Sequence, residues 1–289
     1  MKKKMKNFIS GSVFVGPALI FFLIVEIIPL LMGVYYSLLR WNGLSAKSTF
    51  IGLDNYVRIF SDENFIKSFV FTFKFTIVNV FLADLVAFAL ALVLTSAIKT
   101  KNVLRTIFFL PNVLSGLILG FIWQFIFVRG FTTLGDVTHL GVFQLPWLGT
   151  EATGYWATII VSVWQMAGYL MVIYIAGLSN VPVDIIEAAD IDGASKFDVL
   201  KKITIPLIMP SVTICLFLAI AQSFKMFDLN FSLTHGAFDT RGVALNIYDE
   251  AFTSNNFGLG SAKAMVFFVI VSVISVFQVW ITKSREVEA

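Results

Sequence analysis

Six long, unbroken apolar runs govern what this chain can fold into. They cover residues 13–39, 69–94, 107–128, 156–178, 207–229 and 264–281, each near or above the roughly 20 residues a helix needs to cross a hydrocarbon layer. A lone strand leaves its backbone N–H and C=O groups unsatisfied in lipid, so the runs are read as helices. A membrane β-barrel would instead show alternating segments of about ten residues. Of the 289 residues, 58% are hydrophobic and 13% charged. A water-soluble domain carries about 25% charged residues, so this chain has too few to cover a wet surface. The expectation is an all-α integral membrane protein with six transmembrane helices, forming a single transmembrane domain over 1–289.

The remaining composition excludes several chemistries. The single cysteine, Cys215, lies inside an apolar run, which rules out an internal disulfide framework and a cysteine metal site. The two histidines, His139 and His235, both fall in predicted loops, and a net charge of +3 does not argue for nucleic acid. The basic N-terminus precedes a run too long for the apolar core of a signal peptide, so the first run is read as an uncleaved span.

Lys and Arg set the expected orientation. Twelve of them lie on one side: Lys2, Lys3, Lys4, Lys6, Lys99, Lys101, Arg105, Lys196, Lys201, Lys202, Lys283 and Arg285. Seven lie on the other, spread over longer loops: Arg40, Lys47, Arg58, Lys67, Arg129, Arg241 and Lys263. Both termini are therefore expected in the cytoplasm, in agreement with an even number of spans.

The segment 179–206 differs from the other connections, being polar yet patterned as helix. Ser179, Asn180 and Pro182 are helix-start signals, and Asp184 suits a first turn. Gly193 stops that helix, and Ser195 opens another with Asp198 three residues on, a capping-box pattern. Phe197, Leu200 and Ile203 recur at helical spacing and share a face, while Pro206 and Pro210 are read at the start of the fifth span. Glu187, Asp190 and Ala194 align on one side, and Ala188 and Ala189 leave room for a close approach. Such an acid-tipped short helix suits a basic-rimmed groove on a partner protein. The alternative is a helix lying among lipid headgroups. The five acids against three bases here speak against it, because anionic headgroups attract bases.

Glu187-Ala188-Ala189, Asp192-Gly193-Ala194 and Ile203-Thr204-Ile205-Pro206 resemble the EAA loop of binding-protein-dependent ABC importer permeases, with Ile205 in place of the usual Leu. The likeness extends along the chain. Gly16-Pro17-Ala18, Ile28-Pro29-Leu30, Trp41-Asn42-Gly43, Gly52-Leu53-Asp54-Asn55-Tyr56 and Phe109-Leu110-Pro111 resemble the sugar-importing, maltose-type and glycerol-phosphate-type members. Leu233 to Phe238 departs from the T-x-G-G-P turn usual after their fifth span.

The resemblance implies an import subunit with a transmembrane core over 69–282 and a coupling loop at 179–206. In that loop Glu187 is the charged contact, Gly193 the tight turn, and Ala188, Ala189 and Ala194 the close-packed face, with Asp192 and Pro206 completing the motif. It implies a second permease subunit in a heterodimer, two ATPase subunits and an extracellular substrate-binding protein. ATP and magnesium are expected on the partner ATPase, since this chain has no phosphate-loop motif. The expected setting is a plasma or inner membrane, with lipid as the surrounding solvent. The chain itself is expected to carry no catalytic residue, and a sugar or oligosaccharide is the expected cargo.

Ionisable residues within spans are functional candidates, because their burial is costly. Glu26, Lys74, Asp84, Lys225 and Asp228 qualify. Lys225 and Asp228, three residues apart, are read as a structural pair on one helical face, and Lys74 and Asp84 are too far apart to pair. The stretch Trp164-Gln165-Met166-Ala167-Gly168-Tyr169 mixes aromatic rings and an amide, a combination suited to sugars. The resemblance places Tyr169 at the sugar pathway, and Gln165 and Ser223 join it by proximity. Trp123 and Gln124 are further candidates. Two rival readings are an ion-coupled secondary transporter, which would show inverted repeats and broken helices, and an intramembrane enzyme, which would need a nucleophile–base pair or metal set within the spans.

Overall fold

A computed structural model describes residues 15–96 and 98–284. Residues 13 and 14 of the first expected span, the lysines at 2, 3, 4 and 6, and Arg285 lie outside the described residues. The chain divides into two compact units. One comprises residues up to Glu63 with Ile247–Phe268, and the other Asn64–Asn246 with the chain from Val269 on.

In the first unit, α1 runs Val15–Ser37. It is followed by two short antiparallel strands, β1 (Leu39–Arg40) and β2 (Thr49–Phe50), with Leu39 opposite Phe50. A short helix, α2 (Asp54–Ile59), carries Asn55, whose buried amide donates to the carbonyls of Ser37 and Leu39 at 2.8 and 2.9 Å. That amide satisfies the carbonyls left over where α1 gives way to β1. Within the same unit Lys263 is 1% exposed and held by two carboxylates, Asp62 Oδ2 at 2.6 Å and Glu250 Oε2 at 2.7 Å. Asn256 donates to the other Glu250 oxygen at 2.9 Å.

The second unit contains most of the helices. In chain order they are α3 (Glu63–Thr95), α4 (Lys101–Val113), α5 (Gly116–Thr138), α6 (Glu151–Ser179), α7 (Val183–Ile191), α8 (Lys196–Leu207), α9 (Met209–Phe224), α10 (Asp228–Leu233) and α11 (Val243–Tyr248). A last helix, α12 (Phe257–Lys283), begins in the first unit and ends in the second. Among the described residues five helices are long and apolar enough to cross a membrane, and α9, joined to α8 at a 73° bend, brings the count to six where the bent pair is taken as one span. The core is built on α6: Leu170 and Met171 are fully buried with Ala83, Ala87 and Ala91 of α3 and with Cys215 and Ala219 of α9. Lipid offers no hydrophobic drive between helices, so small residues let backbones approach closely. Gly168 of α6 lies against the Phe108 carbonyl of α4, and Gly120 of α5 lies against Ser232 of α10; a Cβ at either would overlap its neighbour.

Three expectations are corrected. The run 107–128 is not one helix. The chain is extended at Leu114, with ψ 139°, and α5 starts afresh at Gly116, so the span begins and ends later than expected. The hydropathy is continuous through the break. What stabilises it is tertiary: the Leu114 carbonyl, freed from helix bonding, accepts from Gln165 Nε2 of α6 at 3.3 Å, and the Gly116 carbonyl accepts from Ser232 of α10 at 3.3 Å.

The run 207–229 is likewise divided. Pro206 sits in the last turn of α8, not at the head of the span, and α9 leaves at 73° to α8 through Ile208. The helix then stops at Phe224, so Lys225 and Asp228 are not partners on one helical face: a turn separates them, and Asp228 opens α10. Finally, a π turn at Leu200–Thr204 shifts the face of α8, burying Val199 and Thr204 and leaving Phe197 69% exposed.

Candidate functional site

Two regions collect the chemistry. The first is the α7–α8 segment. Pro182 caps α7, and its end is a Schellman turn: Ala194 N–H reaches the Ala189 carbonyl at 3.0 Å and Gly193 N–H the Asp190 carbonyl at 3.1 Å. Gly193 has φ +77°, a conformation open to glycine without cost. The Asp-Gly-Ala sequence is therefore what this helix end requires. Ser195 then caps α8, accepting from Asp198 N–H at 3.1 Å, and Asp198 pairs with Lys202 at 2.7 Å. The hydrogen bond from Lys202, then that from Ser195, holds the Asp198 carboxyl below its ordinary value.

Glu187, Ala188, Asp190, Asp192 and Gly193 are exposed, and Ala189, Ala194 and Pro206 are half-buried. Val183, Ile185 and Ile191 are exposed beside them, Ile191 at 86%. A short helix that presents both acids and large apolar side chains is a surface suited to contact.

The second region is a cavity of about 320 Å³ within the second unit, formed where two helices are interrupted. Gly116 at the start of α5 faces the turn that ends α9, and the walls carry Ser162, Gln165, Gln222, Lys225 and Asp228. Two amides, a hydroxyl and one charge of each sign give a polar, formally neutral lining, which suits hydroxyl-rich neutral molecules. Of the residues expected here, Gln165 lines the cavity. Tyr169 does not: it is half-buried and packs against the α3–α6–α9 core. Ser223 does not either, being 1% exposed and accepting from Asn79 Nδ2 at 2.9 Å; its neighbour Gln222 lines the wall instead.

Trp123 belongs to an aromatic cluster with Phe127 and Trp164, and Gln124 donates to the Leu233 carbonyl at 3.5 Å. Asp84, ten residues from Lys74, accepts from Tyr174 Oη at 2.8 Å. That interhelical bond was invisible to local spacing because its partners are 90 residues apart. The grouping of Gln165, Gln222, Lys225 and Asp228 was equally out of reach, since it depends on α9 ending early.

Residues 85–287 match the family described as binding-protein-dependent transport system inner membrane component. The chain belongs to that family. Along its full length this transport component is 45% identical to the probable starch degradation products transport system permease protein AmyD of Thermoanaerobacterium thermosulfurigenes, covering 100% of both chains. It is 31% identical to the multiple sugar-binding transport system permease protein MsmF of Streptococcus mutans, covering 99% of each. It is also 31% identical to the trehalose/maltose transport system permease protein MalF of Thermococcus litoralis, covering 93% of this chain and 92% of that one.

Its fold is that of a chain in the crystal structure of a bacterial ABC transporter involved in the import of the acidic polysaccharide alginate. The TM-score is 0.82 at 19% identity, covering 98% of both chains. This is a multi-pass membrane transport subunit and not an enzyme. The family match overturns the ion-coupled reading, although the broken helices expected of that rival do occur, at Leu114–Ser115 and after Phe224.

Proposed function

We propose that this family member is the permease subunit of an ATP-driven importer for oligosaccharides, forming part of the pathway through the cavity around Gln165, Gln222, Lys225 and Asp228. The observation that carries the coupling role is α7 with its glycine-dependent Schellman end and its exposed acid-and-apolar surface. Support for the cargo comes from full-length likeness to permeases named for starch degradation products, multiple sugars and trehalose/maltose, together with the polar, formally neutral lining of the cavity.

In this reading both termini are cytoplasmic. Residues 179–206, within a core over 69–282, seat in a groove of a cytoplasmic ATPase, and a second permease, two ATPase copies and an extracellular binding protein complete the assembly. ATP and magnesium belong to the ATPase. Glu187 meets the groove, Ala188, Ala189 and Ala194 allow close approach, and Asp192, Gly193 and Pro206 fix the angle of the segment. Closure of the ATPase pair would pull α7 and, through the 73° bend at Ile208, tilt α9 beside the cavity.

The test is reconstituted uptake together with ATPase activity. Glu187→Lys is expected to insert and fold normally while abolishing substrate-stimulated hydrolysis and uptake. Normal transport by that variant, or failure of any ATPase to co-purify with the wild-type chain, would overturn the proposal.

A further inference from the structure

Lys74 poses a question that transport of a neutral sugar does not answer. It lies inside the long apolar helix α3, is exposed, and has no ion pair among the described residues. A lysine ammonium within a span requires water or a counter-charge. Counting back from Thr95 at about 1.5 Å per residue places Lys74 roughly 30 Å along α3, the thickness of a hydrocarbon core. With Thr95 taken as one edge of the core, Lys74 falls at the other edge, next to the lipid phosphates.

A groove of about 260 Å³ opens at that level between α3 and α6, lined by Lys74, Lys67, Tyr155, Glu151 and Asp239 together with apolar residues of α3. Tyr155 Oη donates to the Lys74 carbonyl at 3.2 Å, so Lys74 and Tyr155 share one depth. Glu151 lies one turn, about 6 Å, nearer the end where both helices begin. By backbone position Lys74 is thus the deeper, with Glu151 and Lys67 nearer the start of their helices and Asp239 beside Lys67 and Asn64. Below Lys74, Ile77 and Phe81 continue the same helical face at spacings of three and seven. They are 58% and 65% exposed, and they wall a second, almost wholly apolar groove against α9.

We propose that this groove is a binding site for a phospholipid with an amine-bearing headgroup, of the phosphatidylethanolamine class. The Lys74 ammonium takes the phosphate, Glu151 and Asp239 take the shallower amine, and an acyl chain runs over Ile77 and Phe81. A purely anionic headgroup would pair with the lysine but meet two carboxylates above it. A lipid with separated charges, phosphate deeper than amine, complements the wall along its whole length.

The test uses the full-length protein in nanodiscs of equal phosphatidylethanolamine and phosphatidylglycerol with identical acyl chains, followed by native mass spectrometry of the lipid retained in mild detergent. The wild type is expected to retain phosphatidylethanolamine preferentially. Lys74→Gln should cut that retention about tenfold, the equivalent of one charge-assisted hydrogen bond. Glu151→Gln should erase the preference between the two lipids, and Lys47→Gln should change nothing. Equal or greater retention of phosphatidylglycerol by the wild type, or unchanged retention in both groove variants, would overturn the site. So would a photoreactive residue at Phe81 that labels protein in place of lipid.

Discussion

At the scale of single residues, burial decides which charges matter. Lys263 is 1% exposed and depends on both Asp62 and Glu250. Replacing it with Met removes the cation that both carboxylates share, a loss of about 3 kcal/mol or more. A thermal melt of the purified protein should show Lys263→Met clearly lowered, and an unchanged midpoint would mean that the carboxylates find other partners. Gln165 has a double role, bonding the Leu114 carbonyl and lining the cavity. Gln165→Ala is expected to raise the uptake KM severalfold, with a stability loss of about 1 kcal/mol from the orphaned carbonyl. Uptake kinetics like the wild type would remove Gln165 from the pathway. Gly193 and Ser195 were legible in the sequence because their roles are local, a left-handed helix end and a cap. Ser223 was misleading, because adjacency in sequence did not say which side of α9 faces Asn79.

At the scale of elements, α8 owes its first turn to a small electrostatic device. Asp198 is bonded by Lys202 and Ser195, and its carboxyl titrates below the ordinary carboxylate value in the folded chain. A depressed value means that the folded state prefers the charged form. The contribution is therefore present above the unfolded value of about 4 and is lost as pH falls through the folded one. Hydrogen exchange over the first turn of α8 should quicken as pH drops through this window, after correction for intrinsic exchange. Lys202→Ala should move the onset to higher pH, and an onset unmoved by that change would refute the assignment. The helix breaks at Leu114 and after Phe224 show the limit of hydropathy. Leu, Ser and Gly at 114–116, and Lys225 to Phe227, sit within runs whose composition permits a continuous helix. At the first of them, partners from α6 and α10 bond the Leu114 and Gly116 carbonyls.

At the scale of the whole molecule, α3, α6 and α9 meet in one close-packed core in which Cys215 is fully buried, with its thiol directed at the Leu170 carbonyl. A thiol-reactive dye should leave the native protein unlabelled and react only as it unfolds, so labelling should track the thermal transition. Rapid labelling of the folded protein would show that the α6–α9 contact opens in the native state. Interiors packed this tightly move as blocks. That is the mechanical requirement for transmitting a displacement at α7 through the α8–α9 bend to the cavity.

The sequence alone determined the membrane class, a count of five to six spans and the two-helix connection with its glycine turn. These rest on length, apolar content and local backbone chemistry, all written in consecutive residues. Only the tertiary structure decided where the spans break, which polar residues share the cavity, and which lysine finds a carboxylate. Those outcomes depend on partners tens of residues away, such as Gln165 for Leu114 and Tyr174 for Asp84. An unsatisfied backbone carbonyl or a buried charge selects its partner by position in space, and linear spacing carries no record of that choice.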